Sequence, residues 1–194
     1  VSGVGRTDSG AHAKRYVASF KSERCPIPTD RLPFALNSFL PPDIAVSGAV
    51  EVPEDFDARF DCTRKEYAYY IFPSTRMHEG AQRFVGTHDF ASVRSQGTPV
   101  KSTVRTIFWC DVDKIDDLIR IRVCGDGFLY NMVRAISGTL VYVGGGKLRP
   151  DDVADVLASC DREQAGPTLP ACGLFMNRLW YHHTSELDRF RLGD

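Results

Sequence analysis

The sequence predicts an α+β fold with a mainly antiparallel sheet. Segments with strand and helix periodicity are mixed along the chain, and the strand-like segments that could pair lie close together in sequence. Such close pairs favour antiparallel sheet over a doubly wound parallel fold. The chain has 194 residues, 43% hydrophobic and 25% charged, which is typical of a globular protein with one large or two small domains.

The first half of the chain alternates loops with short regular elements. Residues 1–14 are rich in glycine, serine and aspartate and predict a loop, whereas residues 15–21 alternate like a half-buried strand. A short helix is predicted near residues 30–39, because prolines precede and follow that segment. Strands are predicted over residues 44–52 and 66–72, and the second of these is rich in aromatic side chains.

The second half holds the clearest patterns. A helix is predicted over residues 77–85, followed by a hairpin formed by residues 106–113 and 118–124. The second strand of this hairpin alternates apolar and basic positions, namely Ile119, Arg120, Ile121, Arg122 and Val123. The hairpin is therefore expected to carry apolar side chains on one face and the two arginines on the other.

The strongest helix signal covers residues 128–143. One apolar stripe at helical spacing comprises Leu129, Met132, Val133, Ile136, Leu140 and Val143. The three glycines at 144–146 end this helix, and Pro150 with the acids after it begins another. A last apolar strand is predicted over residues 173–181.

Charge and cysteine content exclude several classes of protein. The 24 basic and 25 acidic residues give a net charge of −1, so the chain is not a globally basic nucleic-acid coat, although a local basic groove is compatible with this balance. No apolar run reaches the ~20 residues that a membrane helix needs. The six cysteines form no C-x-x-C pair, which argues against a zinc knuckle or a disulfide scaffold and favours a reducing, intracellular compartment.

The segment with the most chemical information is residues 5–13, which read Gly-Arg-Thr-Asp-Ser-Gly-Ala-His-Ala. Glycines allow close backbone approach and positive φ, so this loop could present Asp8 at the bottom of a cleft. Such an aspartate could be a nucleophile, a general base or a metal ligand. A plain turn in which Asp8 caps the next element has the same spacing.

This loop resembles the catalytic loop of the TruA-type tRNA pseudouridine synthases. Further blocks resemble that family in the same order along the chain. They lie at residues 36–44, 56–60 with 65–69, 86–90, 128–134, and 161–168 with 173–175. Several blocks in the right order are much more specific than any one of them.

The resemblance implies isomerisation of uridine to pseudouridine in the tRNA anticodon stem-loop, at positions 38 to 40. The reaction would flip the target base out of the stack and use neither cofactor nor metal. The implied fold has two ferredoxin-like halves flanking a central RNA-binding cleft, here residues 1–74 and 75–194. The implied assembly is a homodimer with no membrane contact, located in the cytoplasm or an organelle.

The resemblance also implies three catalytic residues, Asp8, Tyr67 and Arg134. Burial disfavours an ionised carboxylate and a nearby cation restores it, and Arg134 lies in an apolar helix where an arginine needs a partner. By the resemblance, that partner is Asp8. Tyr67 could stack on the flipped uracil and assist proton transfer at C5. The plain alternatives are a helix arginine that reaches solvent and a tyrosine of the sheet core, the role expected for Tyr69 and Tyr70.

Four substrate-binding residues complete the implied site. Arg6 matches the arginine that fills the space left by the flipped base, since a guanidinium both stacks and binds phosphate. The others are His12, beside the cleft, Arg59, on an arginine-rich loop, and Leu129, in the helix motif. We interpret His88 and Asp89 as a pair that fixes a loop by a hydrogen bond, because no third metal ligand is evident.

Two rival functions and two departures from the family accompany this interpretation. A non-catalytic RNA-binding or RNA-folding paralogue would share the scaffold, but the presence of Asp8, Tyr67 and Arg134 together argues against it. An aspartate-dependent hydrolase of small glycosides would need a second positioned carboxylate, and no candidate stands out.

Family members usually have a strand and helix before the loop and a longer connection at Ser74 and Thr75, so we expect residues to be missing from the sequence there.

Overall fold

A computed structural model describes residues 1–71, 76–97 and 99–181 of the chain. Its strands are β1 (Ser2–Gly3), β2 (His12–Ala13), β3 (Ala18–Ser19), β4 (Cys62–Ile71), β5 (Gly86–Asp89), β6 (Val104–Ile115), β7 (Leu118–Gly125) and β8 (Leu174–Tyr181). Its α-helices are α1 (Leu32–Asn37), α2 (Met77–Gln82), α3 (Met132–Gly144) and α4 (Asp152–Ser159). Short 3-10 helices are Thr29–Arg31, Ala91–Val93, Arg162–Gln164 and Ala171–Gly173. The predicted α+β class is confirmed.

Most of the described strands form one six-stranded sheet in the order β2-β8-β4-β7-β6-β5. The β4–β7, β6–β7 and β5–β6 pairs are antiparallel, whereas β2 pairs with β8 in parallel. The predicted, mainly antiparallel sheet is therefore confirmed. No helix within the described part of the chain is both long and apolar enough to cross a membrane.

The chain divides into two compact units. The first comprises Val1–Gly5, Val17–Cys62 and Tyr181, and the second comprises Arg6–Tyr16 and the described residues of Thr63–Trp180. The predicted boundary between residues 74 and 75, like the connection expected to be shortened there, lies outside the described residues and stays a prediction.

The first unit has little regular structure. Its β1 and β3 pair antiparallel, and β3 is much shorter than the predicted strand over residues 15–21. The strand predicted over residues 44–52 is wrong. The side chain of Asn37 accepts a hydrogen bond from Val46 N and donates one to Val46 O, at 2.7 and 3.0 Å. An amide side chain thus occupies the backbone groups that a neighbouring strand would use.

The second unit holds the hydrophobic core. Helices α2, α3 and α4 supply apolar side chains to a cluster that also contains Ile119, Ile121 and Val123 of β7. The alternate residues Arg120 and Arg122 pair with aspartates of β6. The predicted alternation in the hairpin is therefore confirmed. Strand β6 extends two residues beyond the prediction at each end, and β7 extends one residue beyond it at its C-terminal end.

Two predicted helix boundaries are wrong. Helix α3 begins at Met132 rather than at residue 128, because Asn131 takes a left-handed conformation with φ 60°. Helix α2 ends at Gln82, and residues 83–85 continue in turns whose N–H groups bond three positions back. The predicted apolar stripe of the long helix is buried as expected, and Gly145 follows its last residue.

Candidate active site

The loop that carries Asp8 is fixed by a turn and by the edge of the sheet. Ala11 N donates to Asp8 O over 3.0 Å, and Gly10 adopts φ +82° within this turn. A positive φ at the third turn position favours glycine, because a side chain there would be strained. Directly after the turn, β2 pairs with β8. The turn and the β2–β8 pairing therefore fix the end of the loop, and Asp8 is the first residue of the turn.

The carboxylate of Asp8 meets the guanidinium of Arg134 within the second unit. Arg134 Nη1 donates to Asp8 Oδ2 over 2.8 Å. The arginine side chain is 17% exposed and that of the aspartate is 23% exposed. Among the described residues, Asp8 Oδ1 has no hydrogen-bond donor, so one oxygen anchors the pair and the other is available to a ligand. The carboxylate does not serve as a simple turn cap.

Two neutral oxygen atoms complete the surroundings of Arg134. Its Nε donates to Leu169 O over 2.6 Å, and Nη1 also donates to Asn131 Oδ1 over 2.8 Å. An arginine carries five N–H donors, and three of them are used here. The guanidinium plane is thus held from three directions, while Asp8 is the one charged acceptor among the described residues.

The carbonyl of Leu169 is held by its own segment. Leu169 N donates to Arg134 O, so the two residues bond each other through backbone and side chain. Arg162 donates from Nη1 to Gly166 O and from Nη2 to Thr168 Oγ1, over 2.8 and 2.9 Å. Gly138 of α3 lies against Pro167, leaving no room for a side chain at position 138. The segment can therefore approach the helix closely enough to place the Leu169 carbonyl.

Two tyrosines of β4 share the helix-covered face of the sheet. Tyr67 is partly buried, and its ring packs edge-on against Phe128 with centroids 5.1 Å apart. Tyr69 is fully buried and donates from Oη to Pro170 O over 2.7 Å. Burial raises the pKa of Tyr69, the exposed Cys172 adds to this, and Arg134 partly opposes it. Tyr69 is thus a core residue, as predicted. Tyr70 is not: it is half-buried and packs edge-on against Phe175.

The predicted substrate-binding residues lie in different surroundings. Arg6 is exposed on the Asp8 loop, and His12 is exposed and stacks on Phe175 with centroids 4.7 Å apart. Leu129 is buried in the hydrophobic core. Arg59 belongs to the first unit, where it is exposed and lies over the ring of Phe60. The structure thus brings Asp8 together with Arg134 and keeps Arg6 on the same loop.

The histidine and aspartate of the 86–90 block fix the chain separately. His88 Nε2 donates to Val85 O over 2.9 Å, whereas Asp89 Oδ1 accepts from Ala91 N over 2.9 Å. The predicted hydrogen-bonded pair is therefore wrong, because each residue bonds a backbone group near it in the chain. Within the part of the chain that the structure describes, three or more potential metal ligands do not come together.

Sequence reasoning did not identify two groups that contact Arg134. Asn131 stands in a motif that the sequence singled out, and an asparagine at a helix start is a signal for a special conformation or a cap. The Leu169 carbonyl has no side-chain signature. Only the two prolines that flank it in sequence, Pro167 and Pro170, indicate an extended segment.

Comparison with known proteins yields a consistent set of relatives. A family model described as tRNA pseudouridine synthase matches residues 81–182. The tRNA pseudouridine synthase A of Thermoanaerobacter sp. strain X514 is 42% identical over 199 aligned positions, covering 92% of this chain and 81% of that protein. The proteins of the same name from Bacillus pumilus strain SAFR-032 and Bacillus subtilis strain 168 are 43% and 41% identical, each over 91% of this chain and 79% of the relative.

Proposed function

Because the chain belongs to the tRNA pseudouridine synthase family, we propose that it isomerises uridine to pseudouridine in tRNA. The proposed targets are positions 38 to 40 of the anticodon stem-loop. The observation that carries the proposal is the contact between Arg134 Nη1 and Asp8 Oδ2, which leaves Asp8 Oδ1 without a donor among the described residues. A paired but still accessible carboxylate is the group that this reaction requires.

The chemistry proposed for Asp8 follows from the bonds that change. The C1′–N1 bond of uridine breaks, the base turns, and a C1′–C5 bond forms. The proton on C5 leaves and N1 gains a proton, so nothing is oxidised or reduced and no cofactor is needed. Asp8 either attacks C1′ or removes a sugar proton, and both routes need its ionised form. Arg134 holds that carboxylate in place through the bond to Oδ2.

The remaining predicted residues take supporting roles in the proposal. The target base is stacked in the RNA and must be flipped out before Asp8 can reach its sugar. Tyr67 would stack on the flipped uracil or assist proton transfer at C5. Arg6, exposed on the Asp8 loop, would fill the vacated position in the stack, while His12 and Arg59 would contribute to substrate binding. Leu129 is buried in the core, so no direct contact with substrate is proposed for it.

Site-resolved pseudouridine mapping tests the proposal. Unmodified tRNA transcripts are incubated with the protein, labelled with carbodiimide and read by primer extension, with Asp8→Asn as the matched inactive control. We expect new stops at positions 38 to 40 with the wild-type protein alone. Stops elsewhere in tRNA would keep the chemistry and refute the assigned positions. Intact tRNA binding without any stop would favour a non-catalytic RNA-binding paralogue.

The proposed assembly is a cytoplasmic homodimer in which one tRNA contacts both subunits. Light scattering after gel filtration checks this, and the expected mass is twice that of the chain. If the protein has the mass of a single chain and still modifies tRNA, the dimer is refuted and the proposed reaction is unaffected.

A further inference from the structure

We infer that Asn131 is a positioning residue, whose side-chain amide holds Arg134 in place against Asp8. The inference rests on the proposed function, because it assigns Asn131 a role in the reaction that Asp8 and Arg134 would carry out. Asn131 would not touch the substrate, and its effect would pass through the guanidinium.

The conformation of Asn131 shows that its side chain is not used for the helix. The residue precedes α3 as its N-cap, with φ 60° and ψ 8°. Asparagine is favoured at this position because its oxygen accepts a hydrogen bond from an N–H of the first helical turn. No such capping bond forms here. Left-handed backbone in a residue other than glycine is concentrated at sites where surrounding contacts require it.

Hydrogen bonding fixes the orientation of the amide. Arginine only donates, so the atom that faces Arg134 Nη1 at 2.8 Å is the amide oxygen. The amide nitrogen then donates to Ser95 Oγ over 2.9 Å. Ser95 N in turn donates to Tyr130 O over 3.1 Å. Ser95, in the loop after the Ala91–Val93 helix, therefore bonds both the backbone of Tyr130 and the side chain of Asn131 at the start of α3.

The arrangement holds the guanidinium without neutralising it. One proton of Arg134 Nη1 is directed to Asn131 and the other to Asp8. Since the amide oxygen and the Leu169 carbonyl are uncharged, the positive charge remains directed at the carboxylate. A charged group that is already oriented needs no rearrangement when the reaction begins.

Asn131→Gly tests the inference, because glycine keeps the left-handed backbone and removes only the amide. We expect kcat for tritium release from a [5-³H]uridine tRNA transcript to fall about ten-fold, with KM changed less than about two-fold. Ser95→Ala should lower kcat by a smaller factor and have no further effect in the Asn131→Gly background. Asp151→Asn is the control: Asp151 is exposed and directly precedes α4, so this variant should keep the wild-type kcat. Wild-type kcat in Asn131→Gly would overturn the inference, because it would leave only the backbone role.

A second readout is independent of activity. Arg134 Nε donates to Leu169 O, so we expect its proton to exchange slowly with solvent in ¹⁵N-labelled protein. We expect Asn131→Gly to exchange this proton about ten-fold faster, with the global unfolding transition unchanged. Equal exchange rates in both proteins would overturn the inference. If the wild-type protein formed no pseudouridine, the proposed function would fail, while the exchange measurement would still decide whether Asn131 positions Arg134.

Discussion

Arg134 Nη1 donates to Asp8 Oδ2 over 2.8 Å, although 126 positions separate the two residues in the chain. The contact joins a tight turn at the sheet edge to the first turn of α3. Both side chains are largely withdrawn from solvent. Their attraction is therefore screened less than that of a surface pair, and either partner alone would be a partly buried, uncompensated charge.

Arg134→Ala is expected to lower the free energy of unfolding by about 2 kcal/mol and to remove most activity, because three acceptors lose their donor. Arg83→Ala is the matched control. Arg83 contacts Asp151 at 2.5 Å, but the two side chains are 52% and 79% exposed. This change should cost less than about 1 kcal/mol. Urea unfolding at neutral pH measures both losses, and equal losses would contradict the difference in burial.

Tyr67→Phe and Tyr69→Phe are expected to affect different properties, the first turnover and the second stability. Tyr69→Phe leaves the Pro170 carbonyl without its donor and should reduce the free energy of unfolding by about 1 to 2 kcal/mol. Tyr67→Phe should slow pseudouridine formation, because it removes the hydroxyl that is proposed to assist proton transfer at C5. Thermal melts and turnover assays on both variants distinguish the roles. A Tyr67→Phe protein with wild-type turnover would rule out a role for the hydroxyl.

Gly138→Ala is expected to destabilise the protein by more than about 2 kcal/mol, because a Cβ at this position would collide with the backbone of Pro167. Any displacement of Pro167 that relieves this collision would also move the Leu169 carbonyl away from Arg134. Gly145→Ala is the control near the end of α3, since its Cβ would meet Val141 O at an ordinary 3.4 Å. We expect the control to change the free energy of unfolding by less than about 0.5 kcal/mol. Similar chemical denaturation midpoints for both variants would refute the close approach.

Stability is expected to fall at alkaline pH in a way that depends on Tyr69. Burial raises the pKa of Tyr69 above its ordinary value of 10.0. The Tyr69 hydroxyl therefore loses its proton at lower pH in the unfolded chain than in the folded protein. Its contribution to the free energy of unfolding is complete below about pH 10 and is lost as pH rises through the pKa of the folded protein. Urea midpoints between pH 8 and 11 measure the decline. Tyr69→Phe should show a shallower decline, and an unchanged slope would contradict the assignment.

Local patterns identified much of the core. The alternation of Ile119, Ile121 and Val123 with two arginines and the stripe of the long helix both became buried faces, because the period of a side-chain pattern matches the period of the backbone that carries it. The failures involve residues whose backbone bonds to a distant side chain. Residues 44–52 have strand-like composition, yet Asn37 takes the backbone groups of Val46.

The α+β class, the core faces of the hairpin and of α3, and the motif around Asp8 could all be predicted from the sequence, because each depends on residues close together in the chain. The groups that surround Arg134 could not be predicted in this way, because they depend on how the folded chain brings the residues together. Asn131 precedes α3, but its side chain forms no capping bond to the helix. Leu169 contributes its backbone carbonyl, a group that every residue type possesses. The Leu169 contact joins residues 35 positions apart. The Asn131 contact spans three positions, but it depends on a left-handed backbone at residue 131 that no side-chain pattern encodes.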